Sequence, residues 1–286
     1  MVKNMEFFRR KFWESKISRK LIILTAAFVV LAGVIAAQGM IIYKNRRNFN
    51  FNLVQKTCNV ARVNLYGDLA TYVTEETDSN GCKVDQASAD AIVAAIEKAK
   101  NDKSIKAILL EIESRGGKGI AGEEIANALK QSGKPTVVLI KNLGLSAAYL
   151  AATGADWIIA SDLSEVGDIG VTASYVDNSQ QNKDQGLTFN QLSVGKFKDA
   201  GNSDKELTLE EKDILMRNIN ILYDNFVKAV AVNRHLSIER VMALADGSSL
   251  VGQKAKDSSL IDQVGGISEA KKYISQKIGK DAVICN

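Results

Sequence analysis

Apolar positions recur along the chain with two different spacings, and these spacings predict alternating helices and strands. Between residues 87 and 100, apolar side chains such as Ile92 and Ile96 recur every three or four positions, as on one face of a helix. Residues 105–112 are almost continuously apolar, which is typical of a strand buried on both faces of a parallel sheet. Alternation of this kind predicts an α/β protein with a parallel sheet and crossover helices.

The same patterns predict the remaining elements. Strands are predicted over residues 60–65, 136–140 and 157–160, and helices over residues 122–131, 147–152, 207–233, 238–244 and 267–278. Gly116 and Gly117 follow the most apolar strand and predict a tight turn, because glycine adopts backbone conformations that other residues avoid.

A segment of 23 residues without a charge, residues 21–43, predicts a single transmembrane helix. At about 1.5 Å per residue it would extend roughly 34 Å, which is enough to cross the hydrocarbon core of a bilayer. Seven basic residues precede it, so residues 1–20 are expected in the cytoplasm and the bulk of the chain outside the plasma membrane. A signal peptide cleaved near residues 34–36 is the alternative, and the length of the apolar run favours an uncleaved anchor.

The rest of the chain divides into a polar stalk, residues 44–57, and a domain, residues 58–286. Ten of the 37 basic residues but only two of the 33 acidic residues lie within residues 1–47. The remaining 27 basic and 31 acidic residues leave the domain mildly acidic, which argues against binding to nucleic acid. The expected contact with lipid therefore comes from the anchor alone.

The cysteines and glycines provide little evidence for metals, cofactors or nucleotides. A disulfide between Cys58 and Cys82 is chemically permitted outside the cytoplasm, and unpaired thiols are the alternative for these two residues and for Cys285. The sequence has no CxxC motif or Cys/His cluster for a metal, no P-loop and no convincing GxGxxG. Neither a metal nor a cofactor is expected.

Ser146 is the first candidate for catalysis. It lies between an apolar strand and a helix of small residues, where the free N–H groups of a helix N-terminus would face its hydroxyl. The chain has one histidine, His235, which is expected to be an exposed residue at the end of a helix. A serine can use a lysine as its base instead, and Lys198 follows 52 residues later. The alternative role for Ser146 is a helix N-cap.

Several short sequences occur in an order that is typical of one family: EIESRGG, KPTVVLIKNLGLSAAYLAATGADWIIA, EVGDIGV, GKFKDAG, LTLEEK, ALADG and LIDQVGG. Together they cover roughly residues 58–280 and resemble bacterial and archaeal signal peptide peptidases of the SppA, or protease IV, type. The length resembles that of the half-length members of this family. The resemblance implies the fold of Clp protease and crotonase, and a ring-shaped homo-oligomer in which neighbouring subunits contribute to each active site.

The resemblance also assigns roles to residues. Ser146 matches the nucleophile, and Lys198 matches the general base because the family's lysine directly precedes an aspartate; the alternation in GKFKD does not by itself separate Lys198 from Lys196. The Gly116–Gly117 turn is expected to bind substrate, with the N–H groups of Gly117 and Ser146 as oxyanion donors.

Tyr149 is expected to line a pocket for apolar residues of the substrate. The implied activity is a membrane-anchored serine endopeptidase that hydrolyses cleaved signal peptides and other membrane-derived peptides.

Two departures from the family pattern concern the site. Ala147 and Ala148 stand where glycines are usual, and Asp168 stands where a serine that hydrogen-bonds the lysine is usual. A carboxylate near Lys198 would stabilise the ammonium and raise its pKa, so Asp168 either points away, is protonated, or makes activity rise with pH. Because of these departures, a catalytically impaired scaffold or binding protein is an alternative function. An enzyme of the crotonase type, acting on acyl-CoA, is a further alternative.

Overall fold

The computed structural model describes residue 38 and residues 58–73 and 85–285. The predicted cytoplasmic segment, transmembrane helix and stalk therefore lie outside the described residues, apart from residue 38. No helix within the described part of the chain is both long and apolar enough to cross a membrane.

A mostly parallel sheet lies at the centre of the domain. The strands, in chain order, are β1 (Val60–Tyr66), β2 (Asp68–Ala70), β3 (Gln86–Ser88), β4 (Ala107–Ser114), β5 (Thr136–Leu145), β6 (Trp157–Ala160), β7 (Glu165–Gly167), β8 (Ser249–Val251) and β9 (Gln263–Val264). The main sheet has the order β1-β4-β5-β6-β9, and the second half of β5 pairs with β7, to which β8 is antiparallel. Strands β2 and β3 form a small parallel pair beside it.

Helices cover both faces of the sheet, as the alternating pattern predicts. In chain order they are α1 (Ala89–Asn101), α2 (Gly119–Lys130), α3 (Ala147–Ala152), α4 (Ser179–Asp184), α5 (Leu209–Arg234), α6 (Ile238–Met242), α7 (Gly252–Asp257) and α8 (Ile267–Ile278). The larger core joins α1, α2 and α3 to one face of the sheet, and the smaller core joins α8 to the other. Strand β4 contributes alternate residues to both cores, which explains its continuous apolar run.

Strand β5 is longer than the sequence pattern predicts, and this extension positions the functional site. The apolar run ends at Ile140, and the exposed residues Lys141 and Asn142 follow it. The strand continues to Leu145 because its partner changes: residues 137–140 pair with β6, and residues 143–145 pair with β7. The extension carries the chain to Ser146 at the carboxyl end of the sheet.

Residues 171–207, which we call the arm, form an excursion between the sheet and α5. Apart from α4 the arm contains no regular helix or strand, and most of its residues are exposed. Ion pairs of Lys183 with Glu206 (2.9 Å) and of Lys205 with Glu211 fix its return to the start of α5. Glu211 also completes a capping box with Thr208, so the helix begins where the arm ends.

The disulfide differs from the pairing considered from the sequence. Cys58 is bonded to Cys285, with Cα atoms 5.0 Å apart, and Cys82 lies outside the described residues. The C-terminal residues return to the start of β1, where Cys285 N–H donates to Val60 O and Val283 N–H donates to the side chain of Asn59. A pairing between residues so distant in sequence depends on the folded topology, which the spacing of cysteines does not reveal.

Candidate active site

Ser146 occupies a sharp elbow between β5 and α3. Its backbone has φ 51° and ψ −125°, a conformation that residues with a side chain rarely adopt. The Ser146 N–H donates to Gly167 O (2.8 Å), and the Ser146 carbonyl accepts the first hydrogen bond of the helix from Leu150 N–H (3.0 Å). The hydroxyl makes no capping hydrogen bond, so the N-cap alternative has no support, and Ser146 instead lines a cleft.

Two glycines in the turn beside this elbow have no room for a side chain. A Cβ on Gly116, whose φ is +102°, would lie 2.7 Å from Ser146 Cβ. A Cβ on Gly117, whose φ is +144°, would lie 2.1 Å from Leu69 O. Hydrogen bonds of Leu69 N–H with Gly116 O (2.7 Å) and of Lys118 N–H with Leu69 O (2.8 Å) hold the turn in place. The predicted Gly116–Gly117 turn therefore lies beside the predicted nucleophile.

One of the two expected oxyanion donors is already engaged. Because the Ser146 N–H donates to Gly167 O, it is not free to bind an oxyanion. The N–H of Ala147 is another candidate donor, because Ala147 is the first residue of α3, where helical N–H groups lack an intrahelical acceptor. A Cβ on Gly116 would lie 3.0 Å from Ala147 N, so this nitrogen lies close to the glycine turn. The position directly after the nucleophile was the signal that the sequence analysis missed.

Ser146 opens into a cleft of about 1290 Å³. Gly117, Ala147 and Asp168 lie near the serine in this cleft. Helix α5 contributes much of the opposite wall with mostly apolar side chains, namely Met216, Ile219, Leu222, Tyr223, Phe226 and Ala229. Such a cleft suits an extended, largely apolar chain.

Tyr149 lies elsewhere, contrary to the expectation that it binds substrate. Its side chain is 0% exposed, and its hydroxyl donates to Leu260 O (2.8 Å). Burial raises the pKa of the Tyr149 hydroxyl well above its usual range. On a short helix inside the core, position 149 points inward, whereas Ala147 and Leu150 line the cleft.

Asp168 lines the same cleft as Ser146. Its φ is +52°, and its N–H donates to Ser248 O (3.1 Å). Burial raises the pKa of the Asp168 carboxyl.

Lys198 does not reach the cleft within one chain. It is an exposed residue of the arm, in a turn where its N–H donates to Gly195 O (3.0 Å), and it is absent from the residues that line the cleft. Lys196 forms an ion pair with Glu210 (2.8 Å) and lies 5.2 Å from the ring centre of Phe197. Among the residues that the structure describes, Lys198 takes part in no such ion pair.

The remaining sequence candidates are remote from the cleft. His235 is exposed at the C-terminal end of α5, in a left-handed conformation with φ 55°, and it is absent from the cleft lining. In the part of the chain that the structure describes, no three residues of the types that bind metals cluster together.

The fold and the site together define the class of enzyme to which this chain belongs. A serine at a strained strand-to-helix elbow, a glycine turn beside it and a free helix N–H at the carboxyl edge of a parallel sheet form the apparatus of a serine hydrolase with an α/β fold. The family model of peptidase family S49 matches residues 128–280, and the Clp protease model matches residues 71–158. The chain belongs to peptidase family S49, and its α/β fold is of the Clp protease type.

Curated relatives carry names that agree with this assignment. The chain is 38% identical to "Putative protease MJ0651" of Methanocaldococcus jannaschii, over 62% of this chain and 58% of the relative. It is 31% identical to "Putative protease slr0021" of Synechocystis, over 67% and 69% of the two chains. It is 29% identical to "Putative signal peptide peptidase SppA" of Enterococcus faecium, over 69% and 58%.

The matched part thus spans between 58% and 69% of these relatives' lengths. A solved ClpP1 mutant from Listeria monocytogenes aligns with a TM-score of 0.48 at 14% identity, over 73% of this chain and 92% of that chain. The family and the named relatives indicate a serine peptidase, which speaks against the acyl-CoA alternative.

Proposed function

We propose that this protein is a membrane-anchored serine endopeptidase in which Ser146 of one copy works with Lys198 of a neighbouring copy. The observation that carries the proposal is the Ser146 elbow, which opens into a cleft between the glycine turn and the apolar wall of α5. In this proposal the N–H groups of Gly117 and Ala147 are the oxyanion donors, which is supported by the presence of both residues in the lining of the cleft that contains Ser146.

The proposed reaction follows the usual steps of acyl transfer. Ser146 Oγ attacks the peptide carbonyl while its proton passes to the neutral Nζ of Lys198, and Gly117 and Ala147 stabilise the resulting oxyanion. The lysine returns the proton to the leaving amine, and water then hydrolyses the acyl-enzyme. An ordinary lysine, with a pKa of about 10.4, favours the charged form at pH 7 by about 4.6 kcal/mol, so the base has to be desolvated in the assembled site.

The arm supports a base supplied by a second copy. Leu192 and Val194, close before Lys198 in sequence, are 97% and 98% exposed. Such apolar residues are costly in water and are stabilised when another protein surface covers them. A ring of copies, as in assemblies of the Clp type, would cover the arm and desolvate Lys198 in one step.

The substrates we propose are apolar peptides derived from membranes, such as cleaved signal peptides. The apolar wall of the cleft fits such chains, and an anchor over residues 21–43 would keep the enzyme at their source. The Cys58–Cys285 disulfide is consistent with a domain outside the cytoplasm, because disulfides persist in oxidising compartments. Membrane fractionation, followed by protease treatment of intact cells, tests this location. Recovery of the chain only in the soluble cytoplasmic fraction would refute it.

The activity is tested with the full chain in detergent micelles. Cleavage of casein and of fluorogenic peptides is measured from pH 6 to pH 10 for Ser146→Ala, Lys198→Ala and the matched control Lys196→Ala. The first two variants should lose cleavage, whereas the control should keep it, because Lys196 is already paired with Glu210. Full activity in either of the first two variants would exclude the dyad.

A mixing experiment tests whether the two groups come from different copies. Chains with Ser146→Ala and chains with Lys198→Ala are each expected to be inactive alone. When they are co-expressed, a fraction of the sites should combine an intact serine with an intact lysine, so that cleavage returns. No recovery in co-assembled chains would place both groups in one chain.

Labelling with a serine-directed fluorophosphonate addresses the scaffold alternative. Ala147 and Ala148 are both buried, so their methyl groups pack largely into the core. We expect labelling of the unmodified chain at Ser146 and none in Ser146→Ala. An assembled chain that neither cleaves peptides nor reacts at Ser146 would support the scaffold role.

A further inference from the structure

Asp168 is a carboxylate at a fixed position beside the nucleophile. The Ser146 N–H donates to the carbonyl of Gly167, the residue directly before Asp168, and the Asp168 N–H donates to Ser248 O. These two hydrogen bonds hold Asp168 at φ +52°, which a non-glycine residue adopts only under constraint from its surroundings. The position of the Asp168 backbone relative to Ser146 is therefore fixed, and its carboxyl group lines the same cleft.

Among the residues that the structure describes, no ion pair neutralises this carboxylate. The other charged residues that line the cleft are Lys118, Glu123, Lys228 and Asp246. Asp246 is occupied by the N–H and hydroxyl of Ser248, at 2.9 Å and 2.6 Å. In the described part of the chain, none of the ion pairs includes Asp168, Lys118 or Lys228.

Lys198 is the complementary group, a cation that lacks an ion-pair partner among the described residues. It is exposed, on an arm that presents bare apolar side chains. Lys196, two positions earlier, is held by Glu210. One chain thus has an unpaired, half-buried carboxylate beside its serine and an unpaired lysine on a projecting arm.

We propose that Asp168 is the counter-ion of the Lys198 that a neighbouring copy inserts beside Ser146. The pair positions the lysine and holds it charged until the pH is high enough to remove its proton to solvent. Asp168 is then a positioning residue that makes proteolysis depend on assembly and on alkaline pH. This proposal rests on the proposed Ser146–Lys198 function.

The direction of the pH effect follows from the charges. An opposite charge within about 4–6 Å raises the pKa of a lysine by roughly 1–3 units. Burial alone raises the pKa of the Asp168 carboxyl, and an inserted ammonium would lower that pKa again, so that Asp168 remains ionised at neutral pH. Because only neutral lysine accepts the proton of Ser146, each unit of upward shift lowers activity at pH 7 about tenfold.

The test compares Asp168→Asn with the unmodified full chain in detergent, using a fluorogenic peptide from pH 6 to pH 10. Asparagine tolerates positive φ, so the backbone should be retained without the charge. The midpoint of kcat against pH should fall by about one unit or more, and activity at pH 7 should rise about tenfold. Asp168→Glu should keep the midpoint near that of the unmodified chain, because the charge is retained.

Asp257→Asn is the control for a general effect of charge. Asp257 pairs with Gln253 at the end of α7 and does not line the cleft, so its removal should leave the midpoint unchanged. Oligomeric state by size-exclusion chromatography and fluorophosphonate labelling of Ser146 confirm that each variant is assembled and folded.

Three results would overturn the proposal. They are an unchanged midpoint in Asp168→Asn, a loss of activity at every pH in an assembled and labelled sample, and a rise in KM confined to peptides with basic residues. The last result would make Asp168 a specificity residue for the substrate. Failure of the underlying dyad is seen separately, as full activity in Ser146→Ala or Lys198→Ala.

Discussion

Replacing Gly116 with alanine should damage the site more than its small size suggests. The added methyl would lie 2.7 Å from Ser146 Cβ, 2.8 Å from Leu145 O and 3.0 Å from Ala147 N. Two of these neighbours belong to the backbone of the elbow and cannot rotate away. The methyl can be accommodated only if the turn and the nucleophile move apart.

The expected cost has two parts. Alanine at φ +102° carries backbone strain of about 1–3 kcal/mol. Overpacking against a rigid wall adds about 1–3 kcal/mol. Alanine also lowers the conformational entropy of the unfolded chain, which stabilises the folded state by about 0.4–1 kcal/mol. The variant should therefore lose roughly 1–6 kcal/mol of unfolding free energy. A displacement of the serine by about 1 Å should also lower kcat/KM about 100-fold.

Gly133→Ala is the matched control. Gly133 also has a positive φ, +66°, but a Cβ there would meet no atom within 4 Å. It precedes the start of β5, whereas Ser146 follows its end. This variant should show only the backbone strain of about 1–2 kcal/mol, reduced by the same entropic stabilisation of about 0.4–1 kcal/mol, and should keep full activity.

Urea unfolding followed by tryptophan fluorescence measures the stability of both variants, and cleavage of a fluorogenic peptide measures their activity. If both variants lose the same stability and both keep wild-type kcat/KM, the close contact between Gly116 and the elbow does not constrain the site. That result would refute the steric reasoning.

The remaining predictions concern the support of the site. Cys285→Ser should lower the unfolding free energy by roughly 2–5 kcal/mol, measured under oxidising conditions, and a reductant should abolish the difference from the unmodified chain. Tyr149→Phe should cost about 1–3 kcal/mol because Leu260 O loses its donor, with peptide preference unchanged; altered preference would return Tyr149 to the substrate site. Gly122→Ala should reduce both stability and cleavage, because its methyl would lie 2.3 Å from Ala147 O, whereas Gly119→Ala, with nothing within 4 Å, should not reduce stability.

Local patterns in the sequence predicted the fold well wherever packing is periodic. The apolar run at residues 105–112 became β4, and the predicted helices over residues 147–152 and 267–278 have the same bounds in the structure. These elements bury regular faces, so periodicity alone identifies them. The short strands β7 and β8 were missed because each has three residues and forms only through pairing with distant segments.

In the candidate site, too, local features were predicted and contacts between distant segments were not. The positions of Ser146 and of the glycine turn followed from a strand end and a helix start, which are local features. The Ser146 N–H is engaged by the carbonyl of Gly167, and the buried Tyr149 hydroxyl is engaged by the carbonyl of Leu260. Both contacts join segments far apart in the chain, so no local pattern contained them.

The separation of Lys198 from Ser146 has a physical consequence for an enzyme that cuts peptides. The proposed mechanism needs a neutral base, whereas a lysine with the ordinary pKa of about 10.4 is charged at pH 7. In the proposed assembly, covering the arm's apolar residues would bring the lysine into a site with less water, so the favourable burial of Leu192 and Val194 would offset the unfavourable desolvation of the ammonium. An enzyme built in this way is inactive as a single chain and gains its base only when the copies assemble around the cleft.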